Sequence, residues 1–181
     1  MQLKNELCEI CIAVDDSYNM DSKDNNHYDI IYNPDNNREF YKAFSIEIFK
    51  DNKNMKIALV GDSYSCDENC AILDWNILTI LQNDVISQIN VITDELVFYT
   101  NVEDFGCNFA IYEIETGYII YGEIEIKMLD FNFNTKWKFS GRDIFVSVSG
   151  KNPFELCKDR IKLYDFNDNY YEIDFNGNEL I

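Results

Sequence analysis

Four of the six cysteines form two closely spaced pairs, a spacing that occurs in zinc sites. Two residues separate Cys8 from Cys11, and three residues separate Cys66 from Cys70. Cys8 begins a run of alternating apolar residues that ends at Val14, and such alternation predicts a strand that turns Cys8 and Cys11 to opposite faces. We therefore favour reduced, partly buried cysteines and expect no metal, while a disulfide between Cys66 and Cys70 stays open.

A second candidate is the apolar segment 56–60, which is followed by Gly61, Asp62 and Ser63. This pattern resembles the nucleophile block of GDSL-type esterases, in which the serine follows the first strand. The resemblance implies a later Asp-x-x-His pair, because the serine hydroxyl needs a base. The single histidine, His27, precedes the serine, and the β-rich pattern of the chain disagrees with the α/β architecture of that family. A turn that ends a strand is the better interpretation, and we expect no enzymatic activity.

Three further segments place Asp and Asn at alternate positions: Asp130–Asn134, Asp165–Asn169 and Asp174–Asn178. Calcium loops begin in this way, but the twelve-residue loops from Asp130 and Asp165 lack the glycine and the final glutamate that such loops require. Asp and Asn also favour turns, which explains the pattern without an ion. No glycine cluster precedes a helix to bind phosphate, and 33 scattered acidic residues define no catalytic pair. We expect no cofactor.

Binding residues are better candidates than catalytic ones. Two polar, acidic loops, 15–26 and 62–69, are predicted to be exposed. Within them we expect a partner to contact Asp15, Asp16, Asp21, Asp24, Asp62, Asp67 and Glu68. Trp137 and Tyr170 are added because several strands carry aromatic residues that could form a platform for a sugar or a peptide, although aromatic residues in strands more often belong to the core.

The charge of the chain limits the classes of partner. The 181 residues include 33 acidic and 15 basic side chains, which gives a formal charge of −18. This charge repels phosphate backbones, so nucleic acid is excluded as an ordinary ligand, and it attracts proteins with a basic surface. No signal peptide or transmembrane run is recognised, so the cytoplasm is the expected location and no membrane association is expected.

Alternating apolar and polar residues predict a mainly β chain of about sixteen short strands. The clearest pattern is the hairpin 123–139, in which Ile124, Ile126 and Met128 share one face and Lys127 lies on the solvent-facing side. Glu123 and Glu125 are expected to pair across this hairpin with Lys136 and Lys138. The predicted strands are 7–14, 28–32, 41–49, 56–61, 70–73, 77–81, 85–91, 95–100, 108–113, 117–122, 123–129, 135–139, 144–148, 154–157, 160–165 and 170–175.

The hairpins repeat. The hairpins align at three positions: Asn90, Asp130 and Asp165. Seven residues later each hairpin has a second aligned position, occupied in turn by Val97, Trp137 and Glu172. Each interval holds four short strands, which is the period of β-propeller blades. The motif from Leu129 to Trp137, Leu-Asp-x-Asn-x-Asn-x-x-Trp, resembles the outer hairpin of quinoprotein-type propeller blades, and the resemblance covers residues 77–178. Trp137, however, has no aromatic counterpart at Val97 or Glu172.

We therefore predict an antiparallel meander in four-stranded repeat units, propeller-like or a curved sheet, with a β-sandwich as the alternative. The expected organisation is one domain, 1–181, with a less regular part at 1–62 and repeated hairpin units at 70–178. Size, charge and the missing catalytic groups favour a non-enzymatic acidic binding protein, such as a bacterial immunity or antitoxin-type partner of a basic protein. A carbohydrate- or small-ligand-binding β module is the alternative. The sequence does not indicate the oligomeric state.

Overall fold

The computed structural model describes residues 1–36, 39, 41–62, 69–102 and 106–181, with the backbone alone at Asp24 and Asn26. The described part of the chain is nearly all β: it contains sixteen strands, and its helical structure is a 3-10 helix at Lys23–His27. No helix in these ranges has the length and apolarity to span a bilayer. Two compact units, Met1–Glu103 and Asp104–Ile181, make up the chain, and each has its own apolar core.

The first unit begins with a five-stranded sheet in the order β1-β2-β4-β5-β3. Its strands are β1 (Gln2–Lys4), β2 (Glu9–Asp15), β3 (Ile30–Tyr32), β4 (Lys42–Lys50) and β5 (Lys53–Gly61). All neighbours are antiparallel except β3, which pairs with β5 in parallel. Asp51 and Asn52 both have positive φ, 48° and 61°, which is the backbone of the tight turns that join two antiparallel strands.

A second sheet of the same unit is a four-stranded meander. It contains β6 (Ala71–Asp74), β7 (Ile77–Gln82), β8 (Val85–Asn90) and β9 (Glu95–Asn101) in chain order. Alternate residues of both sheets enter one core, which includes Ile10, Ile46, Ile57, Leu78 and Ile80. Because only one side chain in two faces the core, the period-two pattern of the sequence is the direct cause of this packing.

The second unit contains two further meanders. One is formed by β10 (Asn108–Ile114), β11 (Gly117–Gly122), β12 (Glu125–Leu129) and β13 (Thr135–Ser140), and the other by β14 (Phe154–Leu156), β15 (Arg160–Tyr164) and β16 (Tyr170–Asp174). Residues 179–181 extend the second meander, since Glu179 bridges to Ile173 and the Leu180 N–H donates to the Glu172 carbonyl at 2.7 Å. The predicted mainly β fold, an antiparallel chain in units of about four strands, is confirmed.

The three Asp/Asn turns share one hydrogen-bond pattern. In the first, Asp130 Oδ1 accepts the backbone N–H groups of Asn132 and Asn134, each at 2.9 Å, and the Asn134 amide donates to the same carboxylate. Asp165 and Asp174 make the corresponding bonds. In each turn the fourth residue has positive φ: Phe133, Asp168 and Gly177. The carboxylate oxygens are occupied by the turn's own donors, as turn chemistry predicts.

Strand pairing corrects the repeat alignment at Trp137. Met128, two residues before the turn, pairs with Trp137 because a bulge adds one residue to β13. The same position in the next hairpin is Leu163, which pairs with Tyr171, and Gln88 in the earlier hairpin pairs with Phe98 across another bulge. Each hairpin therefore has an aromatic residue at this position: Phe98, Trp137 and Tyr171. Val97 and Glu172 are not aromatic, as noted from the sequence, but equal spacing along the chain ignores the bulges and turn lengths, so the aromatic counterparts of Trp137 are Phe98 and Tyr171.

Two local predictions fail. Residues 144–148 form no strand, although the structure describes all of them; the Phe145 N–H donates to the Glu123 carbonyl, and the Ile144 carbonyl accepts the Phe166 N–H, so the segment links neighbouring parts of the unit. Lys127, predicted on the solvent-facing side of its hairpin, is fully buried. Lys138 pairs with Glu125 at 3.0 Å as predicted, whereas Lys136 approaches Asp130 at 3.6 Å and not Glu123.

Candidate binding site

The two acidic loops that the sequence singles out leave the same end of the first sheet. Asp15, the last residue of β2, pairs with Ala43 near the start of β4, and Lys42 pairs with Gly61 at the end of β5. The loops that follow Asp15 and Gly61 therefore begin side by side. Because β3 is parallel to β5, the segment that follows β3 and carries Asp35 starts there too. Antiparallel and parallel pairing together gather three acidic segments at one end of the sheet.

A fourth acidic segment reaches this end from the second sheet. Asp84 lies in the turn between β7 and β8, next to buried Gln82, whose amide donates to the Leu59 carbonyl at 3.1 Å. Partial burial raises the pKa of the Asp84 carboxyl, and the negative charges of Asp62 and Asp35 raise it further. Asp62 and Asp35 thus lie close enough to Asp84 for their charges to act on its carboxyl group. We name the group the acidic end and define it as Asp15, Asp16, Asp35, Asp62 and Asp84.

Asp15 is held by a local network. Its Oδ1 accepts the Ser17 backbone N–H at 2.9 Å and the Ser17 hydroxyl at 2.5 Å, and its Oδ2 accepts the Tyr28 hydroxyl at 2.7 Å. Burial would raise the pKa of Asp15, but these bonds outweigh it and hold the pKa below its ordinary value. His27 Nε2 lies 3.8 Å from the same carboxylate. Asp15 lies between the serine and the histidine, so the arrangement lacks the serine-to-histidine bond that activates a nucleophile.

The loop after β2 is more ordered than predicted. Asn25 is buried, so the prediction of an exposed loop is wrong at this position, and Tyr28, two residues beyond the predicted loop, is buried as well. The Tyr18 ring contacts the Tyr28 and Tyr41 rings edge-on, with centroids 6.1 and 6.0 Å apart, and the Tyr41 hydroxyl accepts the Met20 N–H. Packed aromatic rings of this kind fix the loop on the sheet.

The remaining acidic candidates of the first unit have different surroundings. Exposed Asp16 forms an ion pair with Lys42, while Asp21 is exposed and its backbone N–H donates to Asn19 Oδ1 at 3.0 Å. Asp62 is exposed beside Asp84. The Asp24 side chain, Asp67 and Glu68 lie outside the described residues, as do Ser63 and Cys66 of the candidate nucleophile and zinc motifs.

Charge is distributed unevenly along the sheet. The first unit has 19 acidic and 7 basic residues, a net charge of −12. Lys4, Lys50 and Lys53 lie at the opposite end from the acidic end, around an open cavity of about 620 Å³ beside the β4–β5 turn. Two of these lysines are neutralised locally, since Lys4 pairs with Glu9 and Lys50 with Asp94. At the acidic end, Asp16 pairs with Lys42 and Asp15 lies beside His27, while Asp35 and Asp62 act on the Asp84 carboxyl.

The second sheet of this unit has no cation at all. The sequence contains no lysine, arginine or histidine between Lys56 and Lys127. Strands β6 to β9 fall within this stretch, together with Asp74, Asp84 and Asp94 in their turns or ends. The field of the first unit is therefore negative over the acidic end and over the adjoining sheet.

Trp137 and Tyr170 lie in the second unit, where internal bonds occupy them. The Trp137 indole N–H donates to the Phe175 carbonyl at 3.0 Å, and a Cβ at Gly177 would lie 2.8 Å from the indole ring. The Tyr170 hydroxyl donates to Glu172, which together with burial raises the pKa of Tyr170 to about 12. Trp137 thus packs on the turn that begins at Asp174, and the Tyr170 hydroxyl is bound to Glu172.

Sequence reasoning missed Lys127, which lies on β12. Its ammonium lies 3.4 Å from Asn108 Oδ1, and its pKa falls to about 8, chiefly because of burial and also because Lys138 lies opposite. The alternating pattern assigns Lys127 to the wet face, so no local signal could have revealed its burial. Asp35 and Asp84 were missed for another reason: they become neighbours of Asp62 only through the folding of the sheets.

The cysteines do not form a metal cluster in the described ranges. Cys8 and Cys70 belong to the core of the first unit, and burial raises the pKa of the Cys8 thiol. A thiol with a raised pKa is less often the thiolate that metals bind. In the described part of the chain no group of three His, Cys, Asp or Glu side chains has the arrangement of a metal site.

Comparison with known proteins adds little to this geometry. No protein-family model matches the sequence, and the search of curated proteins found no relative. Among solved structures, the chain is similar to Hsv2 of Kluyveromyces marxianus, with a TM-score of 0.45 and 8% identity over 78% of this chain and 44% of that one. Hsv2 of Kluyveromyces lactis gives a TM-score of 0.43 and 7% identity over 75% and 42%. The chain spans less than half the length of these β-propeller proteins, and a likeness of this size assigns no family and no function.

Proposed function

We propose that this chain is a non-enzymatic binding protein whose acidic end receives a basic surface of a partner protein. The observation that carries the proposal is the approach of Asp35 and Asp62, which come from two separate segments, to Asp84, whose charged form they disfavour. A lysine or arginine of a partner placed beside Asp84 would relieve this repulsion and so favour binding. A purely structural surface would gain nothing from such an arrangement.

The finer form of the proposal is a bacterial, cytoplasmic accessory protein of the immunity or antitoxin type, which neutralises a basic effector by covering it. A net charge of −18 supports this form because it steers a basic partner during diffusion. Electrostatic steering raises association rate constants from about 10⁵–10⁶ M⁻¹s⁻¹ towards about 10⁸ M⁻¹s⁻¹ at low salt. Binding also favours the charged carboxylates, so we expect affinity to weaken as the pH falls towards the raised pKa of Asp84.

The test measures association with a basic probe, a peptide of alternating lysine and alanine, by stopped-flow fluorescence at increasing salt. We expect the association rate constant to fall about tenfold or more between about 20 and 200 mM salt, because the Debye length shortens over this range. The triple variant Asp35→Asn, Asp62→Asn, Asp84→Asn should associate more slowly and depend less on salt.

The matched control removes the same charge elsewhere. Glu113, Glu115 and Glu179 are exposed acidic residues of the second unit, and their triple change to glutamine alters the net charge equally. If the two triple variants lose the same fraction of the association rate, total charge and not the acidic end attracts the probe. A rate that salt does not change would contradict the proposed function altogether.

A further inference from the structure

We propose that β9 is a docking edge that accepts an extended, basic segment of the partner as an added strand; this inference rests on the proposed function and names the form of the ligand. An added strand bonds its backbone to the free N–H and C=O groups of an edge strand.

Strand β9 is an edge strand with an apolar surface. It pairs with β8 on one side, and no described strand pairs with its other side. Val97, Phe98 and Tyr99 follow one another in its middle and are 49%, 38% and 46% exposed. Seven residues span about 23 Å, long enough for a full added strand. Exposed, long, apolar edges of this kind are templates for pairing with another chain.

Two other edge strands of the same protein, β13 and β16, are protected. Strand β13 carries the exposed lysines Lys136 and Lys138, and residues 179–181 cover the edge of β16 with backbone hydrogen bonds. Strand β9 has neither device: Glu95 is its only charged residue, and it contains no lysine and no proline. Lysine and proline on an edge discourage added strands, so their absence from this edge leaves it open to one.

The charge beside β9 selects a basic occupant. The Val102 N–H donates to the Asp84 carbonyl at 2.5 Å, and Asn101 pairs with Val85. The last residues of β9 therefore lie next to the turn of Asp84, and the charges of Asp62 and Asp35 lie close to Asp84. A strand laid along β9 ends at the acidic end, where lysine or arginine side chains would meet three carboxylates. The occupant is thus apolar along its length and basic at the end beside Asp84.

The experiment uses the full chain and a nine-residue peptide in which valine alternates with threonine and three lysines stand at one end. Binding is followed by fluorescence anisotropy, and amide protection by hydrogen–deuterium exchange. We expect protection of residues 95–101. The same peptide methylated on alternate backbone nitrogens keeps its charge but cannot form the ladder of hydrogen bonds. Its affinity should therefore be lower by a factor of about ten or more.

Two variants separate the edge from general charge. Tyr99→Lys places a lysine on the docking edge, and Val148→Lys makes the same charge change at a residue that is 72% exposed in the second unit. We expect Tyr99→Lys to weaken peptide binding about tenfold and Val148→Lys to have less than about a twofold effect.

The failures are distinguishable. Equal binding of the methylated peptide, or no protection of residues 95–101, overturns the docking edge and leaves the acidic end as the binding site. Equal binding of a peptide with glutamate in place of lysine overturns the basic occupant and, with it, the proposed function. The docking edge is supported if Tyr99→Lys loses peptide binding and the protection of residues 95–101 while Val148→Lys keeps both.

Discussion

Replacement of Asp165 by alanine should destabilise the second unit strongly. The Asp165 carboxylate is fully buried. It accepts the backbone N–H groups of Asn167 and Asn169 at 3.0 and 2.9 Å and the Tyr171 hydroxyl at 2.7 Å. Alanine removes the acceptor of four donors: the buried Tyr171 hydroxyl and three part-exposed donors, which are the Asn167 and Asn169 backbone N–H groups and the Asn169 side-chain amide. At about 1–3 kcal/mol for the buried donor and about 0.5–1.5 kcal/mol for each of the others, we expect a loss of about 3–5 kcal/mol.

The assay is urea unfolding followed by the fluorescence of Trp137 in a Trp75→Phe background, and the matched control is Asp174→Ala. Asp174 accepts the Asn176 and Asn178 backbone N–H groups at 2.9 and 2.8 Å, as Asp165 does with its own neighbours. Its turn is open to solvent, so water replaces the lost acceptor, and the unfolding midpoint should move far less.

Equal midpoint shifts for the two variants would refute the role of burial and leave turn geometry as the source of stability. If Asp165→Ala fails to fold, Asp165→Asn keeps one acceptor oxygen and should give a measurable intermediate shift. The pKa of Asp165 also determines how stability depends on pH. Burial would raise this pKa, but the hydrogen bonds from Asn169 and Tyr171 hold it below its ordinary value. Its stabilising effect is therefore present above about pH 4 and is lost as the pH falls through the lowered pKa, and Asp165→Asn should weaken this acid dependence.

Three further changes can be measured by the same unfolding assay or by thermal melting. Gly177→Ala should destabilise the second unit, because the backbone has φ +81° and the new Cβ would lie 2.8 Å from the Trp137 ring. The control is Gly150→Ala, at φ +84° with open space around it, which measures the loss of stability caused by backbone strain alone. Trp75→Gly should stabilise the first unit by about 0.5–1 kcal/mol, since exposed Trp75 has φ 47°, and a lower melting temperature would contradict this. Burial, and to a lesser extent Lys138, lowers the pKa of Lys127 to about 8. Between about pH 8 and pH 10.5 the unfolded chain therefore binds more protons than the folded chain, and the stability of the wild type relative to Lys127→Met should rise with pH over this range. A flat difference over that range would show that Lys127 is not desolvated.

Most strands follow from the sequence because one residue in two must enter a core. The alternation of Phe44, Ile46 and Ile48 predicts β4, and all three are buried. Strand β1 is missed because three residues are too few to show a period. The segment 144–148 has a strand-like composition but finds no neighbour for a ladder, so composition alone misleads there.

The candidate site is only partly predictable. Asp15, Asp16 and Asp62 lie in acidic loops that the sequence marks, but their convergence depends on the register of β2, β4 and β5. Asp35 arrives through a parallel pairing and Asp84 through the second sheet, and neither arrangement leaves a trace in local spacing. Long-range pairing is set by the whole core, whereas a single turn is set by its own residues.

The lack of lysine between Lys56 and Lys127 also has a practical consequence. Reagents that couple through primary amines find no attachment point on strands β6 to β9. A biosensor surface loaded by amine chemistry will hold some molecules through Lys4, Lys50 or Lys53, at the hairpin end of the first sheet, and others through Lys42, beside the acidic end. The molecules held at the hairpin end present the carboxylate-rich end of the sheet and its outer strand to the flowing sample.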